Sequence, residues 1–279
     1  MILESGAGDF SLVWTFVQPE VARFARVCSY DRADMGWSDF GPHPRTLHQV
    51  AYELKTLLIN AGEHGPFVLV GHSYGGLYAR TFQLEYPQDV AGMVFVDSAH
   101  ENELLFVNGR FTRVIDDAQA RPIPSVKKDS PLHESEIPPD ILKAITESAR
   151  QMARNANDPP YDKLPPDIQA MRSWAIGQPK HAAASDNPFE PEERALLLKS
   201  LHTTPLGDRP VIVLTRGNPV YAGDLREQRQ QERHEQQQDL ARLSRRGEQL
   251  IVPGSDHEIQ LDAPDVVVKA IREVLSGVN

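Results

Sequence analysis

Phe67-Val68-Leu69-Val70-Gly71-His72-Ser73-Tyr74-Gly75-Gly76 decides how this chain is read. Four apolar residues of strand-like composition run into Gly-x-Ser-x-Gly, and the pattern then turns helical. A strand that bends sharply into a helix forces strained dihedrals on the serine at the corner. Small neighbours at Gly71 and Gly75 relieve the crowding there. Such a corner presents the Ser73 hydroxyl at the carboxyl end of a sheet, where ligands bind in open α/β folds. The helix N-terminus and the backbone N–H of Tyr74 then face any negative charge that develops beside the serine. The pentapeptide alone is a weak signal; the preceding strand, the extra Gly76 and the helix give it weight.

Outward from this corner, short β-branched runs alternate with helical patterns, which predicts an α/β fold with a mostly parallel sheet. Strands are expected at 1–3, 26–30, 67–70, 92–96, 211–215 and 249–252, and helices at 14–24, 47–61, 75–86, 225–243 and 264–275. Pro264 suits the first turn of the last helix, where its missing N–H costs nothing, with Asp262 as a cap. The alternation breaks over 98–206, a stretch rich in proline with short amphipathic segments such as 141–154. It is too long for a structureless loop in a compact domain. Residues 98–206 are therefore expected to form an inserted helical cap on a core made of 1–97 and 207–279. The Gln/Arg/Glu-rich run 226–239 has few apolar residues and reads as a solvated helix face.

Composition narrows the function. The 279 residues suit one domain with an insertion, and 40% hydrophobic residues can build a core. A net charge of -10 argues against nucleic acid and against docking on anionic lipid. The single cysteine, Cys28, has no partner for an intramolecular disulfide and reads as a buried structural thiol. No apolar run approaches membrane-spanning length and no secretory leader is evident, so a cytoplasmic protein is expected. None of the ten histidines forms an HExxH or Cys/His cluster, so neither metal nor cofactor is expected. His257 stands apart because it follows the strand at 249–252 and precedes the last helix. A loop position there leaves its imidazole free to swing over the nucleophile, and His72 is expected to point into packing.

Gly71-His72-Ser73-Tyr74-Gly75-Gly76, Tyr30-Asp31-Arg32-Ala33-Asp34-Met35-Gly36-Trp37-Ser38, Val94-Phe95-Val96-Asp97 and Gly254-Ser255-Asp256-His257 together resemble the α/β-hydrolase superfamily, over essentially the full length. The resemblance implies Ser73 as nucleophile and His257 as general base. It implies a second oxyanion donor after the first strand, where Ser5-Gly6-Ala7-Gly8 makes the Ala7 N–H the candidate beside that of Tyr74. Many relatives place the acid after the penultimate strand, where Val220 falls in this chain and Asp224 follows a few residues late. Others place it at the end of the preceding strand, here Asp97, which is the first choice with Asp224 the alternative. Many relatives also carry glycine where this chain has Asp34, a residue that tolerates left-handed dihedrals better than most.

Relatives usually have two strands before the one beginning at Met1, so a sheet of about six strands without those two is expected. The strand at 26–30 would then be an edge, and an unpaired edge invites a homodimer. The expected activity is hydrolysis of a small carboxylic ester or lactone through an acyl-enzyme, with Leu104, Leu105, Phe106, Phe111 and Trp174 lining a hydrophobic pocket or packing the cap. Proline-iminopeptidase-like or amide hydrolysis, a small-ligand receptor and a decayed hydrolase are the competing readings.

Overall fold

The computed structural model describes residues 1–107, 110–128, 134–184, 187–203, 205–219 and 226–278, the side chains of 106, 107 and 202 excepted. Its strands among the described residues are β1 (Ile2–Glu4), β2 (Cys28–Ser29), β3 (Phe67–His72), β4 (Val90–Val96), β5 (Leu104–Val107), β6 (Arg110–Arg113), β7 (Val211–Arg216) and β8 (Gly247–Val252). The helices are α1 (Gln18–Ala22), α2 (Leu47–Asn60), α3 (Gly75–Glu85), α4 (Pro139–Arg154), α5 (Pro166–Ile176), α6 (Pro179–Ala183), α7 (Glu190–Ser200), α8 (Arg226–Ala241), α9 (Ile259–Asp262) and α10 (Pro264–Val278).

Six of these strands form a parallel sheet in the order β2-β1-β3-β4-β7-β8, and β5 pairs antiparallel with β6 as a separate hairpin. The expected α/β architecture is thus present. All six residues of β3 are buried, and their side chains alternate between two cores. Phe67 and Leu69 join Leu54, Leu58, Phe82 and Leu240 on one face, while Val68 and Val70 join Trp14, Val267, Ile271 and Val274 on the other. A parallel sheet covered on both faces needs apolar residues at successive positions rather than alternate ones, which explains the continuous run in β3.

The strand order reverses between β1 and β3: the chain winds one way to β2 and the other way to β8. At such a switch point the loops leaving the two central strands diverge and open a crevice at their carboxyl ends. The loop after β1 and the corner after β3 both empty into it.

Between β4 and β7 the chain carries the hairpin and α4 to α7. Prolines here open helices rather than breaking them, with one in the first turn of α4, α5, α6 and α7. At the opposite edge, pairing expected over 26–30 is confined to Cys28–Ser29, and Cys28 is half-buried rather than buried. Asp34 takes φ +72, as its tolerance of left-handed backbone allows. Its buried carboxylate accepts from Gly41 N at 2.8 Å and lies 3.3 Å from Arg45 Nε.

Helix α8 departs from expectation. Read as a solvated face, it instead buries Arg233, Gln236, Gln237, Leu240 and Ala241. The polar members are buried because they serve backbone oxygens beyond β4: Gln237 Nε2 donates to Ser98 O at 2.7 Å and Gln236 Nε2 to Asn102 O at 2.8 Å. Charge-poor periodicity is not the only way to mark a packed face. Among the described residues, no helix is long and apolar enough to cross a membrane.

Candidate active site

The corner after β3 holds Ser73 at φ +52, a conformation that a non-glycine residue adopts only when its surroundings impose it. Those surroundings are visible in the hydrogen bonds. Ser73 N donates to Val96 O at 3.1 Å, and Ser73 O accepts from Ala99 N at 2.9 Å. The neighbouring glycines are required by close approach: a Cβ on Gly71 would lie 2.8 Å from Gly75 O, and one on Gly75 would lie 2.5 Å from Glu4 O. A Cβ on Gly76 would collide with Ser98 Oγ.

His257 stands over this corner. Its Nε2 lies 2.8 Å from Ser73 Oγ, and its Nδ1 lies 2.6 Å from Asp97 Oδ2. Asp97 is fully buried at the end of β4, with φ +39 and its N–H donating to Leu214 O at 2.7 Å. Two guanidinium groups flank its carboxylate, Arg233 Nη2 at 3.1 Å from Oδ1 and Arg216 Nε at 3.1 Å from Oδ2. Burial pushes the Asp97 carboxyl up, but Arg233, the His257 hydrogen bond and Arg216 outweigh it and hold the group well below the ordinary carboxylate range. An ionised Asp97 accepts from Nδ1–H, which leaves Nε2 as the acceptor facing the serine hydroxyl.

His72 packs, as expected, and also braces the base. Its Nε2 lies 3.1 Å from His257 O, and the two rings are 4.8 Å apart. Burial, then the neighbouring His257, lowers its pKa to about 3. The ring is therefore neutral, and its Nε2–H donates to the His257 carbonyl. His72, His257 and Glu258 offer potential metal-ligand atoms within 4.8 Å of one another. Both His257 nitrogens already face Ser73 and Asp97, so the grouping fits a hydrogen-bonded relay better than a metal site.

The loop after β1 is tightly held. Arg32 donates to Ser5 O at 2.7 Å, Gly6 O at 2.6 Å and Asp9 O at 3.1 Å, and pairs with buried Glu4 at 2.5 Å. Tyr30 also hydrogen-bonds Glu4. From the other side, Arg172 Nη1 meets Asp9 Oδ1 at 2.7 Å and Tyr161 OH donates to Asp9 Oδ2 at 2.8 Å. Ala7 sits at the exposed tip of this braced loop. Tyr74 caps α3, where a helix leaves its first amides without intrahelical partners. Ala7, Tyr74, Ser73 and His257 line one cavity of about 470 Å³.

Leu104 and Leu105 line that cavity, and charged side chains share its wall with them. Arg194, Arg216, Arg229, Arg233, Glu103, Glu190 and Glu232 make up much of it. Trp174 is absent from the lining; it is 54% exposed and stacks on Trp37 at 6.0 Å. The Phe106 side chain and all of Asp224 lie outside the described residues. Sequence reading missed the charged wall, although the spacing of Arg229, Glu232, Arg233 and Gln236 on α8 marks a single helix face.

The chain belongs to the alpha/beta hydrolase family, which it matches over residues 1–270. It is 27% identical over 282 aligned residues to an uncharacterized protein of Schizosaccharomyces pombe, covering 96% of this chain and 45% of that one. The chain spans less than half the length of the curated relatives it matches. Among solved structures it resembles a thermophilic esterase from Thermogutta terrifontis, with a TM-score of 0.63 and 21% identity over 99% of this chain and 89% of that one. Est816, described as an N-acyl homoserine lactone degrading enzyme, aligns with a TM-score of 0.56 and 16% identity, covering 98% and 91%. The epoxide hydrolase CorEH aligns with a TM-score of 0.63 and 16% identity, covering 100% and 91%. Likeness at this level of identity carries the fold, not the substrate.

Proposed function

We propose that the chain is a serine hydrolase that cleaves carboxylic esters or lactones through an acyl-enzyme. The observation that carries this reading is the unbroken relay from Asp97 Oδ2 through His257 to Ser73 Oγ, at 2.6 and 2.8 Å, opening on the cavity. Ser73 Oγ attacks the substrate carbonyl carbon while its proton passes to His257 Nε2. The tetrahedral oxyanion lies against the Tyr74 and Ala7 amides, backbone donors on the start of α3 and on the braced loop after β1 that line the same cavity. Collapse breaks the bond to the alcohol oxygen, which leaves with the proton from His257. Water, giving a proton to the same nitrogen, then attacks the acyl-enzyme and releases the acid and Ser73. Asp97 holds the imidazole tautomer and balances the imidazolium in each step.

Serine at the corner, rather than a carboxylate, argues against the alkyl-enzyme ester on which epoxide-opening relatives of this fold depend. The esterase and lactone-degrading neighbours accord with the acyl-enzyme reading. Residues 98–206, as a cap, would set acyl and alcohol preference. An aminopeptidase-like reading is weakened because Glu103, Glu190 and Glu232 each already pair with an arginine instead of awaiting a substrate amine.

The test is hydrolysis of p-nitrophenyl acetate and labelling by a fluorophosphonate probe, in the unaltered chain and in Ser73→Ala. Turnover and labelling should both be present in the first and absent in the second. Label-free, inactive but folded protein would overturn the serine mechanism and leave a receptor or decayed frame.

A further inference from the structure

Burial alone does not tell the Asp97 carboxylate which oxygen to turn toward His257. The last torsion of an aspartate is broad, so donors around the group must fix its rotation. Oδ2 faces His257 Nδ1 at 2.6 Å, and Arg216 Nε lies 3.1 Å from the same oxygen. Oδ1 is held from the other side, by Arg233 Nη2 at 3.1 Å and by the Arg216 N–H at 3.3 Å. The same Arg233 nitrogen donates to Asp97 O at 2.9 Å and to Ser98 O at 3.1 Å. One nitrogen from α8 thus lies against three oxygens of the turn that ends β4.

That turn serves both ends of the relay. Asp97 takes φ +39, a conformation that a residue with a Cβ keeps only when it is held there. Ser98 Oγ donates to Gly71 O at 2.8 Å, and Ala99 N donates to Ser73 O at 2.9 Å. Residues 97–99 therefore carry the acid and also support the corner that bears the nucleophile. Gln237, one turn further along α8, reaches the same place, where its Nε2 donates to Ser98 O at 2.7 Å. Among the described residues it gives no bond to the carboxylate.

We propose that Arg233 is a positioning residue of the relay: from α8 it fixes the rotation of the Asp97 carboxylate and the turn that carries it, so that Oδ2 is presented to His257. The proposal rests on the hydrolase reading above. A guanidinium suits the place because a charge-assisted bond to a buried carboxylate is roughly twice as strong as one from a neutral amide. Burial raises the Asp97 carboxyl, and Arg233 is the largest of the effects that bring it down again. Glu103 Oε2, 3.5 Å from Arg233 Nη1, backs the guanidinium from the cavity wall.

Arg233→Gln and Gln237→Leu make the test, because both remove a bond to Ser98 O and only the first releases the carboxylate. Urea midpoints should fall in both. Only Arg233→Gln should lower kcat on the active ester, by about 10- to 100-fold with KM little changed, the scale for a catalytic group displaced by ~1 Å. Arg233→Lys, which keeps a charged nitrogen on a shorter reach, should fall between Arg233→Gln and the parent. Equal kcat in Arg233→Gln and Gln237→Leu overturns the proposal; if Arg233→Gln does not fold, Arg233→Lys takes its place in that comparison. The far-downfield proton signal of His257 Nδ1–H, assigned by its loss in Asp97→Asn, reads the same contact without substrate. It should stand in the unaltered chain and in Gln237→Leu, and weaken or vanish in Arg233→Gln. That pattern in a chain that hydrolyses no ester would sink the hydrolase mechanism and leave the positioning role standing.

Discussion

Two buried aspartates flank Ser73, and each faces arginine. Asp97 meets Arg216 and Arg233; Asp9 meets Arg172. The third partner separates them. For Asp97 it is the imidazole of His257, which leads on to Ser73 Oγ. For Asp9 it is the phenol of Tyr161, whose pKa is pushed far up by burial and by Asp9 itself. A phenol that never ionises near neutrality is a fixed donor, so the Asp9 cluster can only hold its loop. An imidazole can take and return a proton, so the Asp97 cluster can take part in chemistry. Buried charge is thus no mark of catalysis by itself; what matters is whether the partner that closes the cluster can pass a proton on to the serine.

The sharpest way to break this comparison is to neutralise each aspartate in turn. Asp97→Asn should lower kcat by roughly 10⁴ with KM little changed, because the amide favours the wrong imidazole tautomer. Steady-state kinetics on the ester active in the Ser73 test would show it. Asp9→Asn should act on stability instead, since it strands Arg172 in the interior. A loss of about 3 to 5 kcal/mol in urea unfolding is expected, with kcat within tenfold of the parent. An Asp9→Asn protein of unchanged stability but lost kcat would put the two aspartates in the same class.

Acid should weaken the fold through its buried histidines. Burial is the first cause that lowers His72 and His100 to about 3 and His181 to about 4. Their folded pKa lies below the unfolded value of about 6.5, so the unfolded chain binds protons that the folded chain refuses. Their contribution is complete above that value and is lost as pH falls toward 4, at roughly 1.4 kcal/mol per pH unit for each ring. Unfolding midpoints from pH 8 to 5 should decline most steeply below 6.5. His181→Gln should flatten the decline on the Asp9 side; an unchanged slope would remove that ring from the account.

A smaller effect should come from Arg32→Lys. The lysine keeps a charge beside Glu4 but lacks the fork that reaches Ser5 O and Gly6 O together. If those bonds aim the Ala7 amide, kcat should fall about tenfold with KM nearly constant, less than the roughly 10²- to 10³-fold cost of removing an oxyanion donor outright. A rise in KM alone would assign Arg32 to the loop's shape and not to the oxyanion.

Much of this could be read along the chain because its causes are local. The run Phe67 to Gly76 carries its own geometry: an apolar strand, glycines where a Cβ would strike Glu4 O or Ser98 Oγ, and a helix start behind the serine. His257 stood apart from the other histidines by its place after the last strand, whereas Asp97 was named only through the family resemblance, with Asp224 as its alternative. The alternation of strand and helix patterns was enough to predict the parallel sheet. Other features were not local. The arginines that hold Asp97 come from β7 and α8, far along the chain, and nothing in the polar run 226–239 says that one of its faces is buried. Trp174 has the composition of a pocket residue but lies exposed beside Trp37. Backbone corners and caps follow from neighbours a few residues away, so the sequence alone determined them. Which charges share a cavity depends on how distant helices dock over the sheet, and only the tertiary structure decided that.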